Sequence, residues 1–243
     1  MVGAVRHPTS RLAWFAAFAL CAAFGSAVAA TVPDTIGQRV AACIACHGRE
    51  GASSTAGFFP RLAGKPAGYL YNQLRSFRDG RRHNADMVNL VQFLPDAYLR
   101  EMADYFAALD LPYPAVAARS DASEATLQRG RTLALEGDAA RGIPACTACH
   151  GVALTGVQPG IPGLLGLPRL YVASQFGAWL TNERHALAPD CMADIGRKLS
   201  TPDINAVASW LAIQPMPVDP KPAASLPARL PVACSGLPEQ ATR

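Results

Sequence analysis

Cys43-Ile44-Ala45-Cys46-His47 returns as Cys146-Thr147-Ala148-Cys149-His150, 103 residues further along. Cys-x-x-Cys-His is the attachment pattern of a c-type haem. Two thiols three apart can each form a thioether to a haem vinyl group, and the adjacent histidine can donate an axial nitrogen to iron. Rival readings are a four-thiolate zinc site or a thioredoxin-like redox pair. Zinc gives no reason for a histidine after the second cysteine in both copies. A thioredoxin site needs a strand before it, whereas Gly37 to Ala42 and Thr132 to Ala134 are helix-compatible and poor in β-branched residues. The expectation is two covalently bound haem c groups, held by Cys43, Cys46, Cys146 and Cys149, with His47 and His150 on iron.

The first thirty residues read as an export signal. Arg6 and Arg11 supply the positive flank, Leu12 to Phe24 the apolar stretch, and Ala27-Val28-Ala29 the small residues for cleavage. Cys21 would leave with this segment. Export predicts a periplasmic protein in a compartment where disulfides persist. The formal charge of the whole chain is +4, and residues 1–30 hold two arginines and no acid, so the remainder carries +2. That is too weak a charge to suggest nucleic acid or a polybasic membrane surface.

At the other end, Ile213 to Arg243 contains Pro215, Pro217, Pro220, Pro222, Pro227, Pro231 and Pro238. So many prolines preclude a long helix and predict an extended surface tail, partly disordered. It carries Cys234, and Cys191 is the remaining cysteine outside the haem motifs and the signal. A Cys191–Cys234 disulfide pinning the tail is the expectation.

The repeat runs beyond the haem motifs. Pro60 follows His47 by thirteen residues and Pro162 follows His150 by twelve; Tyr69, Gln73 and Phe77 recur as Tyr171, Gln175 and Trp179. Their spacing at i, i+4 and i+8 places each set on one helix face, read chiefly as packing core. Leu94, Ala103, Tyr105 and Phe106 recur as Leu199, Ala208, Trp210 and Leu211 in a closing helix, which Thr201-Pro202-Asp203 would start. The predicted fold is all-α, two tandem helical domains each wrapped round a covalent haem. The boundaries are a signal at 1–30, a first domain at 31–111, a linker at 112–123, a second domain at 124–214 and the Pro-rich tail at 215–243.

Each iron then needs a sixth ligand or stays open. Methionine sulfur suits electron transfer, and an open position suits ligand binding or catalysis. Met87 and Met192 each precede the closing helix by a short segment, at the 105-residue offset that aligns Leu94 with Leu199, and are the candidate ligands. Met102 reads as core, and Met216 has no counterpart. His83 and His185 are rivals, although they do not align at that offset. Pro60 and Pro162 are candidates for accepting the Nδ1 proton of the neighbouring haem histidine, or else simply shape a turn.

Cys43 to Gly48, then Phe59-Pro60-Arg61-Leu62-Ala63-Gly64, then Tyr-Leu-x-x-Gln-Leu-x-x-Phe-x-x-Gly from Tyr69, then Asn-x-x-Met at Asn84 to Met87 together resemble dihaem cytochromes of the cytochrome c4 type. The resemblance spans about residues 33–213, and the added Cys191 and the tail depart from it. It implies class I cytochrome c domains related by a pseudo-twofold axis, with His/Met iron in each. It also implies periplasmic electron shuttling, from a quinol-oxidising complex or dehydrogenase to a terminal oxidase. The expected function is therefore an electron carrier and not an enzyme, with redox proteins as partners and membrane association only through them. The alternatives are the cytochrome subunit of a periplasmic dehydrogenase complex, and a dihaem peroxidase or gas sensor with one open iron.

Overall fold

The computed structural model describes residues 33–53, 57–115, 120–235 and 237. The signal segment at 1–30, part of the linker and the last residues of the tail lie outside them. Ten α-helices are described, and each half of the chain closes on its own apolar core. The first half comprises α1 (Ile36–Arg39), α2 (Ala41–His47), α3 (Ala67–Arg78), α4 (Ala85–Val91) and α5 (Asp96–Ala108). The second comprises α6 (Glu124–Leu135), α7 (Thr147–His150), α8 (Arg169–Leu180), α9 (Cys191–Lys198) and α10 (Thr201–Ala212).

The two closing helices show why the halves resemble each other. α5 buries Leu99, Met102, Ala103 and Phe106, and α10 buries Ile204, Val207, Ala208 and Leu211. Both sets follow i, i+3, i+4 and i+7, the stripe that one helix face presents to a core. Each large side chain removed from water contributes about 1.5–3 kcal/mol. In the first core the stripe meets Val40, Leu70, Tyr71 and Phe77; in the second it meets Leu133, Leu165, Val172 and Phe176. α10 begins at Ser200, whose side chain accepts from Asp203 N while Asp203 answers the cap's own N–H. Ser200, rather than Thr201, is thus the cap, because it completes a reciprocal capping box.

α6 and α10 approach unusually closely. A Cβ on Gly130 would lie 2.1 Å from Ala206 O, so only glycine permits this crossing. The one strand pairing described is short: β1 (Gly156–Val157) runs antiparallel to β2 (Ile161–Pro162), with Gly156 opposite Pro162. The sequence suggested none, since two-residue strands leave no periodic trace. The tail adds to this hairpin, with Gln158 N–H donating to Ala223 O and Ala223 N–H donating to Gly156 O. No helix among the described residues is long and apolar enough to cross a membrane.

The halves meet along a reciprocal seam. His83 N–H donates to Glu183 O at 2.7 Å and His185 N–H to Arg81 O at 2.7 Å, so Arg82 and Arg184 sit opposite each other. Gly68 in α3 lies so near Pro159 that a Cβ there would be 2.6 Å from the proline oxygen. Arg61 anchors the chain leaving the first half. Its guanidinium donates to Leu111 O and Pro112 O and stacks 4.0 Å from the Tyr113 ring.

Candidate haem-binding site

In α2 the pattern Cys43, Cys46, His47 occupies i, i+3 and i+4, so the three side chains share one helix face. The helix stops at Gly48, where φ is +78° and a Cβ would meet Ser53 O at 2.2 Å. This glycine turns the chain back so that the next loop crosses behind His47. There His47 Nδ1–H donates to Pro60 O at 2.8 Å, and in the second half His150 Nδ1–H donates to Pro162 O at 2.8 Å. A carbonyl can only accept, so each Nδ1 carries the proton and each Nε2 keeps its lone pair. Burial lowers the pKa of both rings, against the pull of the proline carbonyls. Both imidazoles are therefore held neutral and aimed, the state in which histidine ligates a metal.

A cavity of about 700 Å³ connects the halves. Cys43, Cys46, His47 and Met87 line one end, Cys149, His150 and Met192 the other. Met87 sits in α4, whose N-cap Asn84 accepts from Met87 N–H; Met192 sits in the first turn of α9, capped by Asp190. Cys146 is placed differently: it packs into the second core, its Sγ 3.9 Å from Leu133 O. Burial pushes its thiol up to about 11, with Cys149 adding to the effect, and burial also raises Cys43 and Cys149. Met102 lies in the first core and also reaches the cavity, and Met216 packs on the second core. His83 and His185 line the cavity where the halves meet, and His185 Nδ1 is buried without a partner among the described residues.

The cavity wall between the two ends holds residues that the sequence did not single out. Arg82 donates to Gln73 Oε1 at 3.0 Å within its own half, and across the seam to Gln175 Oε1 at 2.7 Å and Tyr171 OH at 3.0 Å. Arg184 answers with Gln175 Oε1 at 2.8 Å and, across the seam, Gln73 Oε1 at 3.1 Å and the Tyr69 hydroxyl. Each guanidinium also stacks on an aromatic face, Arg82 4.6 Å from the Phe77 centroid and Arg184 4.1 Å from that of Trp179. Phe77 lies in the first core, and Tyr69 and Trp179 pack against the two cores, as expected; together with Tyr171 they also build the seam. Both arginines are under 10% exposed, and among the described residues neither meets a carboxylate. Lys65 is a third buried cation, 4% exposed, and its Nζ donates to Gly163 O at 2.9 Å across the seam. Burial and the nearby Arg61 lower its pKa to about 7. The same offset that equates Arg82 with Arg184 puts Leu167 in the place of Lys65.

These residues fit a covalently held haem. Thiols and a free imidazole nitrogen share a helix face, a largely apolar cavity adjoins them, and guanidiniums that meet no carboxylate among the described residues line a space that propionates would complement. Such an arrangement defines a c-type cytochrome. Residues 35–104 match the cytochrome c family. Over 181 residues the chain is 38% identical to a thiosulfate dehydrogenase electron acceptor of Thiomonas intermedia, covering 72% of this chain and 80% of that protein. It is 35% identical over 179 residues to cytochrome c4 of Pseudomonas aeruginosa, covering 71% and 84%. Among solved structures, reduced cytochrome c4 from Pseudomonas stutzeri superposes with a TM-score of 0.63 at 30% identity, covering 73% of this chain and 95% of that one. Thiosulfate dehydrogenase (TsdBA) from Marichromatium purpuratum gives 0.64 at 32% identity, covering 71% of this chain and 36% of that one. The chain belongs to the cytochrome c4 family of dihaem cytochromes: it is built of class I cytochrome c domains, carries covalent haem c and transfers electrons.

Proposed function

We propose that this chain is a periplasmic carrier with two haem c groups, and that it takes electrons from a dehydrogenase that oxidises thiosulfate. The observation that carries the two-centre reading is the single cavity with a Cys-x-x-Cys-His helix at each end. The donor is argued from the relatives: two electron acceptors of thiosulfate dehydrogenase, from Thiomonas intermedia and Stutzerimonas stutzeri, are 38% and 39% identical to this chain.

When bound, haem supplies a one-electron Fe(III)/Fe(II) couple. The residues of the chain hold and tune it. Cys43 and Cys46 at one end, and Cys146 and Cys149 at the other, would fix each group through thioethers. His47 and His150 offer Nε2, made more basic because Nδ1–H is given to Pro60 O and Pro162 O. Met87 and Met192 would each offer a soft sulfur to an iron, which would favour the reduced state. Arg82 and Arg184 would supply fixed positive charge to the propionates of a bound haem. No bond is made or broken in the carrier, so the protein gains by keeping these groups still.

The test begins with a pyridine haemochrome count on the purified mature protein, followed by rapid mixing with thiosulfate dehydrogenase and thiosulfate. Two haems per chain and full reduction within the enzyme's turnover time are expected. One haem per chain would overturn the two-centre reading. Two haems that stay oxidised while the enzyme turns over with an artificial acceptor would overturn the donor.

A further inference from the structure

The proline-rich tail has a course that the carrier function leaves unexplained. After α10 it crosses to the first half, where Lys221 pairs with Asp110 at 3.1 Å, and then joins the β1–β2 hairpin through Ala223. It next runs to the loop before α9. There Cys234 is bonded to Cys191, Ser235 N–H donates to Pro189 O at 2.9 Å, and Ser235 Oγ donates to Leu187 O. Cys191 immediately precedes Met192. Along this stretch Leu230, Val232 and Cys234 are sheltered while Pro231 and Ala233 are exposed. One face of the segment, which bends at Pro231 and Val232, is therefore covered. The covered face is the cavity: Leu230, Val232 and Cys234 line it together with Cys191 and Met192. The first half has no counterpart among the described residues. Its equivalent helix, α4, leaves Leu90 44% exposed and is followed by Phe93 at 89%.

We propose that Leu230 and Val232 form a wall of the second haem site and act as positioning residues for Met192, with Cys191–Cys234 as the latch that holds the wall shut. The assignment rests on the reading that the second site holds haem with Met192 on iron. An apolar segment over the methionine side denies water and small ligands a path to the place the sulfur occupies. A disulfide at the residue next to the methionine ties α9 and the wall into one unit. Opening the latch with a phosphine breaks the S–S bond. The phosphine is oxidised to its oxide with oxygen taken from water, and the two thiols each gain a proton. The second site should then accept an exogenous ligand that the closed protein refuses, while the first site is unchanged.

The experiment uses the mature holoprotein. Cyanide binding to the oxidised form is followed by loss of the far-red methionine–iron band, in the wild type, in Leu230→Ser/Val232→Ser and in Cys191→Ser/Cys234→Ser. Carbon monoxide binding to the reduced wild type is followed before and after phosphine treatment, which needs no refolded variant. At least a tenfold faster reaction is expected, confined to half of the haem. Met192→Ala provides the reference. If it removes half of the far-red band but the wall variants and the phosphine-treated protein react at the untreated rate, the wall is overturned. Equal acceleration at both haems would overturn it too, because that is general loosening. If Met192→Ala leaves the band intact, the ligand assignment has failed instead.

Discussion

Asp203 is a buried charge that joins three parts of the second half, and its removal has a size and a pH signature. The carboxylate is 5% exposed and accepts from Ser200 Oγ at 2.8 Å, Ser200 N at 3.1 Å, Arg129 Nε at 2.9 Å and Arg141 Nη1 at 2.9 Å. It thereby ties the start of α10 to α6 and to the turn at Arg141. Asp203→Asn keeps one oxygen for Ser200 and Arg141, where the arginine bond becomes charge–neutral, but sets an NH2 group where the other oxygen accepts from Arg129, so that charge-assisted bond is lost. At about 1 kcal/mol lost for each, the variant should be less stable by about 2 kcal/mol at pH 7. Burial works to raise the Asp203 carboxyl, yet the bonds from Ser200, Arg141 and Arg129 outweigh it and hold the pKa far below the usual carboxylate range. A depressed folded pKa means that the stabilisation is complete above the unfolded value, about 3.9, and is lost as pH falls below it. The deficit of the variant should therefore shrink by about 1 kcal/mol between pH 5 and pH 3. Urea unfolding followed by tryptophan emission isolates this half, since Trp179 and Trp210 both lie in it and Trp14 falls within the first thirty residues. A deficit under about 0.5 kcal/mol at pH 7, or one of equal size at pH 3 and pH 7, would refute the reasoning.

Four further substitutions probe the seam and the cores. Lys65→Met removes a buried cation that faces the second half, so the second haem's midpoint potential should fall by about 40 mV (about 1 kcal/mol) at pH 6. Because the pKa of Lys65 is lowered to about 7, wild type and variant should converge by pH 9, and a drop in the first haem's potential instead would count against the assignment. Arg184→Lys keeps the charge but cannot span Gln175 and Gln73 as a planar fork; a loss of about 1–2 kcal/mol in chemical denaturation is expected, and none would mean the seam does not use that geometry. Gly130→Ala forces α6 and α10 apart and should cost about 2–3 kcal/mol, whereas Gly177→Ala, with nothing within 4 Å of its new Cβ, should gain up to about 1 kcal/mol. Equal melting shifts for the two glycine variants would contradict the packing described.

The haem motifs, the closing helices and the separate cores were legible because each is written in local spacing. Leu99, Met102, Ala103 and Phe106 mark a helix face in any context. The seam was not legible, because an arginine just past a helix reads as a solvated charge until a partner surface is brought over it. One signal was available: the 102-residue offset relating Tyr69 to Tyr171 also relates Arg82 to Arg184. That offset also pairs His83 with His185, which do not align at 105. Three extra residues enter between His185 and Met192, where Asp190 restarts the helix, and so change the register. Lys65 was hidden for a similar reason, since its acceptor, Gly163, lies in the other half. The tail's course depends on contacts far along the chain, and proline content predicts only that it is extended.

The seam has a consequence for how the molecule is held together. Arg82 reaches Gln175 and Tyr171, and Arg184 returns the contact to Gln73 and Tyr69. This is the isologous pattern of a two-fold homodimer, in which every contact is made twice by one self-complementary patch. The connecting segment then acts chiefly by raising the effective concentration of one half for the other. Halves severed between residues 115 and 120 should remain associated at protein concentrations where unlike cytochrome domains would drift apart. The chain is, in effect, a dimer carried on one polypeptide. Lys65 and the latched tail are where its two protomers cease to be interchangeable.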